Sequence, residues 1–147
     1  TVQFDGRDAM PRLSRFLFGA WPKAHNVKRL AVAEEKQTVS AGYCDWKGAS
    51  HHRAIVLTEN GFSVTDEVGG FKKSAVLRWR LAPGEWCWDG EWLVGSGVRL
   101  RVTGTQSLKR RELVEGWESR YYSRKTSLPV LEIEVEEAGR LTTELRY

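Results

Sequence analysis

The chain has 147 residues, 41% of them hydrophobic and 29% charged, ordinary proportions for one folded globular domain. Its 23 basic and 19 acidic residues leave a net charge of +4, a mild excess that tilts towards an acidic partner without naming one. No apolar run approaches the ~18 residues a helix needs to cross a membrane. Cys44 and Cys87 show no CxxC spacing and are expected as two buried free thiols, which leaves the redox compartment open. Thr1 stands without an initiator Met and enters a strand at once, which reads as a piece of a longer protein.

Along the chain, Thr1–Phe4 reads as a short strand. The stretch from Asp5 to Ala24 resists assignment. It holds Pro11, Pro22, several arginines and the apolar cluster Phe16-Leu17-Phe18, and a long loop or a single helical turn fits it best. Val27–Ala33 and Thr38–Cys44 follow as strands. Asn60-Gly61 then separates AIVLTE from FSVTDEV, and Asn-Gly readily takes the positive φ angles of a tight turn, so a hairpin centred on that pair is expected.

Three later runs alternate strictly. In Ser74–Leu81, Leu77, Trp79 and Leu81 share one face and Arg78 and Arg80 the other. Val98–Val102 sets Val98, Leu100 and Val102 against Arg99 and Arg101. Pro129–Glu136 sets Leu131, Ile133 and Val135 against Glu132, Glu134 and Glu136. A period of two means strands with one dry and one wet face. Asp89-Gly90 marks a second reversal with tryptophans on both arms, and Arg111–Glu115 and Arg140–Arg146 complete the set. About ten short strands with little room for helix predict an all-β fold, an antiparallel β-sandwich forming a single domain over residues 1–147.

Chemistry is sparse. His51 and His52 are neighbours on a strand and point to opposite faces, so they do not ligate one ion together; one is expected buried and hydrogen-bonded, the other facing water. No GxSxG elbow, no Cys–His pairing and no phosphate-binding glycine loop is present. Asp5 with Asp8, and Asp66 with Glu67, read as solvated turn or strand-end residues. Arg78, Arg80, Arg99 and Arg101 admit two readings: a basic track for an anionic polymer if their strands are neighbours, or cross-strand pairs with Glu132, Glu134 and Glu136. Of seven tryptophans, Trp79 reads as core, while Trp86, Trp88 and Trp92 are either packing around the second turn or a stacking surface for sugar rings.

Three segments together resemble the heparinase II/III-like polysaccharide lyases. TVQFDGRDAM (Thr1–Met10) resembles the strand and loop that follow an Ala-His-Asn motif in that family. Tyr43–Gly70, with HHRAIVL and GFSVTDEVGG, resembles its Arg-bearing strand, hairpin and Asp-bearing strand. EGWESRYY (Glu115–Tyr122), with PVLEIEV and the terminal LTTEL, resembles the end of its β-sandwich. The resemblance spans nearly the whole chain and implies the C-terminal β-sandwich region of a longer enzyme, joined to an N-terminal helical toroid. It also implies β-elimination on a uronic-acid-containing polysaccharide. In that reaction a base removes the C5 proton, an acid assists the leaving oxygen, and a third group neutralises the carboxylate.

The resemblance places those roles mainly on the toroid and the early β-region, and in some members a zinc ion is held by His and Asp residues there. The Ala-His-Asn segment would lie immediately before Thr1, so no catalytic residue, metal ligand or cofactor is carried over to this chain. The echo at Ala24-His25-Asn26 follows the long loop and is taken as coincidental. For substrate contact, the loop after the first strand offers Arg7, Arg12 and Arg15 as partners for carboxylate or sulfate and Trp21 as a stacking surface. Two functional readings stand: a largely non-catalytic region of a lyase acting on an acidic polysaccharide, or a stand-alone carbohydrate-binding module for an anionic glycan. A nucleic-acid partner is disfavoured by the modest charge and the interspersed acids.

Overall fold

The computed structural model describes all residues from Thr1 to Tyr147 and contains twelve strands and no helix. They are β1 (Val2–Phe4), β2 (Lys23–Ala33), β3 (Lys36–Cys44), β4 (Ser50–Thr58), β5 (Gly61–Gly69), β6 (Ala75–Arg80), β7 (Trp86–Asp89), β8 (Trp92–Gly95), β9 (Val98–Gly104), β10 (Arg110–Glu118), β11 (Thr126–Val135) and β12 (Gly139–Arg146). One sheet has four strands in the order β1-β6-β11-β10; the other has eight, β2-β3-β4-β5-β12-β9-β8-β7. All pairings are antiparallel. The expected sandwich is thus the fold found, with two more strands than anticipated.

The alternating runs explain where the core lies. Leu77, Leu131, Ile133 and Val135 from the smaller sheet meet Val68, Leu93, Leu100, Val102 and Leu141 from the larger one. Leu77, Leu93, Ile133, Val135 and Leu141 are fully buried. Truncating any such leucine to alanine costs roughly 2–5 kcal/mol, because the lost transfer energy is joined by a cavity. The larger sheet's share of the buried core comes from β5, β8, β9 and β12. Strand β2 is exposed along nearly its whole length, so β2 and the first residues of β3 extend beyond the core as an arm. Strand β2 is bent by two register irregularities, between His25 and Lys28 and between Lys28 and Ala31, and Asn26 there takes φ +50°.

Both reversals form, but not quite as expected. The first turn is built from Glu59-Asn60, with Thr58 paired to Gly61. Asn60 does not take a positive φ; Gly61 does, at +142°, and opens β5. A Cβ on Gly61 would sit 2.0 Å from the Leu145 carbonyl oxygen, so the glycine is required there by close approach of β12. In the second turn Gly90, at φ +59°, and Glu91 join Asp89 to Trp92. The segment from Asp5 to Pro22 is a loop without a helical turn. Within it Gly19 N–H donates to Pro11 O and Leu13 N–H to Leu17 O, making a small self-bonded finger with Ser14–Phe16 at its tip. The cysteines depart from expectation: both are free, but Cys87 is exposed and Cys44 only half-buried, because each lies outside the space between the two sheets.

Candidate functional site

Polar groups converge where the edge strand β1 faces the inner side of β3, β4 and β5. The β4–β5 register sets Arg53 opposite Asp66 and His51 opposite Val68, and alternation turns His51, Arg53 and Asp66 to one face. Asp66 is completely buried. Arg53 Nε donates to Asp66 Oδ1 at 2.6 Å and Nη2 to Oδ2 at 3.0 Å, a two-pronged grip on the carboxylate. His51 Nε2 lies 2.6 Å from Asp66 Oδ1. Burial alone would raise the Asp66 pKa, but the hydrogen bonds from His51 and Arg53 outweigh it and hold the group below the usual carboxylate range. An ionised carboxylate only accepts, so His51 donates its Nε2–H to it.

Aromatic groups complete the surroundings. Trp79 lies under the Arg53 guanidinium at 4.8 Å, and Tyr43 meets His51 edge-on with ring centroids 5.5 Å apart. Burial pushes the Tyr43 phenol up, keeping it protonated, and its hydroxyl donates a long bond to Val2 O at 3.4 Å. Thr1 is close by, within electrostatic reach of Arg53 and Asp66. Asp66 is therefore fully engaged and is a poor proton acceptor; the cluster locks β4 to β5 and fixes the His51 ring.

A second knot adjoins the first and anchors the loop. Asp5, in the left-handed region at φ +52°, accepts backbone N–H bonds from Lys72, Lys73 and Ser74. Burial opposes ionisation of Asp5, but these amides and Arg7 hold its carboxyl far below the usual range. Arg7 spans Asp5 and Asp45, reaching Asp45 Oδ2 from Nε at 3.0 Å and from Nη2 at 2.6 Å. Asp45 in turn caps the Lys47 and Ala49 amides, each at 2.9 Å.

The four residues anticipated for substrate contact therefore separate. Arg7 is committed to two aspartates and lies at the root of the loop. Arg12 and Arg15 come together at the finger tip, where Arg12 Nη2 donates to Arg15 O at 2.8 Å and Nε to Ser14 O at 3.3 Å. The Arg15 guanidinium lies over the Phe16 ring. Trp21 is 70% exposed and meets Phe18 edge-on.

The histidine expectation is met: His51 is buried and bonded, and His52 points to the other face. The expectation for Asp66 as a solvated residue is overturned, because the β4–β5 register turns it inward against Arg53. The basic stripe does not form either, since Arg78 and Arg80 belong to the smaller sheet and Arg99 and Arg101 to the larger. Arg78 pairs instead with Glu132 across β6 and β11 at 2.5 Å, and Arg110 links Glu132 and Glu134. Arg101 pairs with Glu144 on β12.

The hairpin tryptophans are occupied: Trp86 Nε1–H donates to Ala82 O, Arg111 covers Trp88, and Arg99, Arg101 and Arg146 surround Trp92. No three His, Cys, Asp or Glu side chains converge as a metal set.

A two-sheet fold of this topology is the fold of part of solved heparinase and heparan sulfate lyase structures. The structure of the heparinase III product of gene BT4657 superposes with a TM-score of 0.79 at 18% identity, covering 99% of this chain and 23% of that one. A crystal structure of heparinase III gives 0.75 at 14% identity, and heparan sulfate lyase HepC from Pedobacter heparinus 0.72 at 15%. The chain spans less than a quarter of the length of these structures. No family model and no curated protein matches it. The resemblance read from the sequence is borne out in the fold.

Proposed function

We propose that the chain is the supporting β-sandwich region of a lyase that cleaves an acidic polysaccharide by β-elimination, with the catalytic groups carried by another part of the protein. The observation that carries this reading is the superposition of 99% of the chain on 23% of heparinase III. Two local features support it. The buried titratable cluster His51–Arg53–Asp66 is internally neutralised. In addition, a segment continuing upstream of β1 would run past Arg53 and Asp66, where the resemblance puts an Ala-His-Asn motif.

In this reading the β2 arm docks on a helical toroid domain through Val27, Leu30 and Val32, which are 60–70% exposed. Arg12, Arg15 and Trp21 on the loop finger face the glycan, and Arg7 holds the finger in place.

The test is turnover by the 147-residue chain on heparan sulfate and alginate, followed by the absorbance of the unsaturated uronate product. The expected result is none; steady product formation by the chain alone would overturn the supporting role.

A further inference from the structure

We propose that the tip of the β10–β11 hairpin is a second contact site for an acidic polysaccharide, built from aromatic faces and free cations; the choice of polymer rests on the lyase reading above. The ladder between β10 and β11 ends at Glu118 opposite Thr126, so Ser119–Lys125 project beyond the sheet. Within and beside this tip stand Trp117, Tyr121 and Tyr122, which are 54%, 70% and 98% exposed. No interior packing accounts for three large aromatics held in water, a condition that costs solvation unless a partner covers them.

Cations interleave with them. Arg120 pairs with Glu118 at 2.7 Å, the one acid of the tip, while Arg124 and Lys125 have no carboxylate partner. Lys125 Nζ rests 4.3 Å from the Trp117 ring centroid. This puts an ammonium over one face of an indole that remains 54% exposed, an apolar surface joined to a cation, the pair of features a sugar ring bearing carboxylate or sulfate would meet. The tip is also shaped: Ser123 takes φ +58°, Arg124 N–H donates to Tyr121 O at 3.1 Å, and Ser119 Oγ donates to the same oxygen at 2.9 Å. Beside it an open depression is lined by Glu115, Gly116, Trp117, Lys125 and Ser127. An exposed ridge beside an open depression suits a passing polymer better than an enclosed small molecule.

This ridge differs from the Trp88 and Trp92 region, where guanidinium groups cover the rings, in carrying two further aromatics, Tyr121 and Tyr122, that stand open to water with no cation over them. It is also separate from the loop finger, so the two sites can be tested apart.

The test is calorimetric titration of the full chain with heparan sulfate, alginate and neutral glucan oligosaccharides and with single-stranded DNA. Four proteins are compared: wild type, W117A/Y121A/Y122A, R124A/K125A, and a loop variant R12A/R15A/W21A. Far-UV circular dichroism and the melting temperature check the fold, and neither tip variant is expected to change them.

The expected result is binding to an acidic oligosaccharide that weakens about tenfold in each tip variant, the size of one lost stacking or charged contact. Preference for heparan sulfate over alginate would assign the anion as sulfate, and equal binding would assign it as carboxylate. Binding untouched by the tip variants but lost in the loop variant overturns this site and leaves the lyase reading standing. Binding to the neutral glucan as tightly as to the acidic ones, tighter binding to DNA, or no binding to any glycan also overturns it.

Discussion

Trp79 on β6 donates its indole Nε1–H to the hydroxyl of Thr143 on β12, across the gap between the two sheets, at 3.0 Å. Thr143 is completely buried, and the same indole carries the Arg53 guanidinium on its face. One residue therefore links the smaller sheet, the larger sheet and the buried charge cluster.

Replacing Thr143 with valine keeps the shape but leaves the indole N–H without an acceptor. The expected loss is about 1–3 kcal/mol of folding stability, the desolvation cost of an unmade bond, read as a lower urea midpoint with an unchanged slope. An unchanged midpoint would show that the inter-sheet bond contributes nothing net.

Asp66→Ala is expected to be far more damaging, about 3–5 kcal/mol, because it strands the Arg53 charge beside a hydrophobic interior. His52→Ala, on the neighbouring strand β4 and facing the opposite side of the sheet, should stay within roughly 0.5 kcal/mol of wild type. Equal midpoints for the two variants in denaturant titration would contradict the inward placement of Asp66.

The acid side of the stability profile follows from the carboxylates. Asp5 and Asp66, ordinarily near 3.8, and Glu132 and Glu134, ordinarily near 4.5, are all lowered in the folded protein. A carboxylate lowered by folding adds stability that is complete above its ordinary value and is lost as the pH falls through its folded value. The contribution of these carboxylates should thus be constant from neutral pH to about 5 and be lost below about 4, with a shallower fall in Asp66→Asn. Thermal melts from pH 7 to pH 2.5 check both the direction and the variant.

Removing Arg7 tests the root of the loop. In Arg7→Ala, Asp5 and Asp45 keep their backbone amide partners but lose the cation between them. The loss should be about 1.5–3 kcal/mol, the worth of hydrogen bonds to charged groups. Trypsin should then cleave after Arg12 and Arg15 faster than in wild type, since the finger is held at its base by this bridge. Cleavage at the wild-type rate would mean that the finger is fixed by its own hydrogen bonds.

The sandwich was legible because its dry faces alternate without interruption in Leu77–Leu81, Val98–Val102 and Leu131–Val135. The buried cluster was not, and the reason is register. Centring the first hairpin on Asn60-Gly61 sets Arg53 opposite Val68, whereas the turn at Glu59-Asn60 sets it opposite Asp66. One residue in the turn decides which residue of β5 stands directly opposite the guanidinium. The role of Gly61 came from β12, more than eighty residues away in sequence, which local pattern cannot supply. Arg7 was recognised as a group for binding carboxylates; those it binds are Asp5 and Asp45, one of them brought near only by folding.

Strand β2 ends the larger sheet with a row of backbone groups that has no neighbouring strand. Straight, apolar and unpaired, such a border would template fibre growth, one copy adding to the next. The two irregularities at Lys28, with Lys23, Lys28 and Arg29 along the strand, break that flat template and charge it. The arm can thus keep Val27, Leu30 and Val32 in water without inviting polymerisation of the protein on itself.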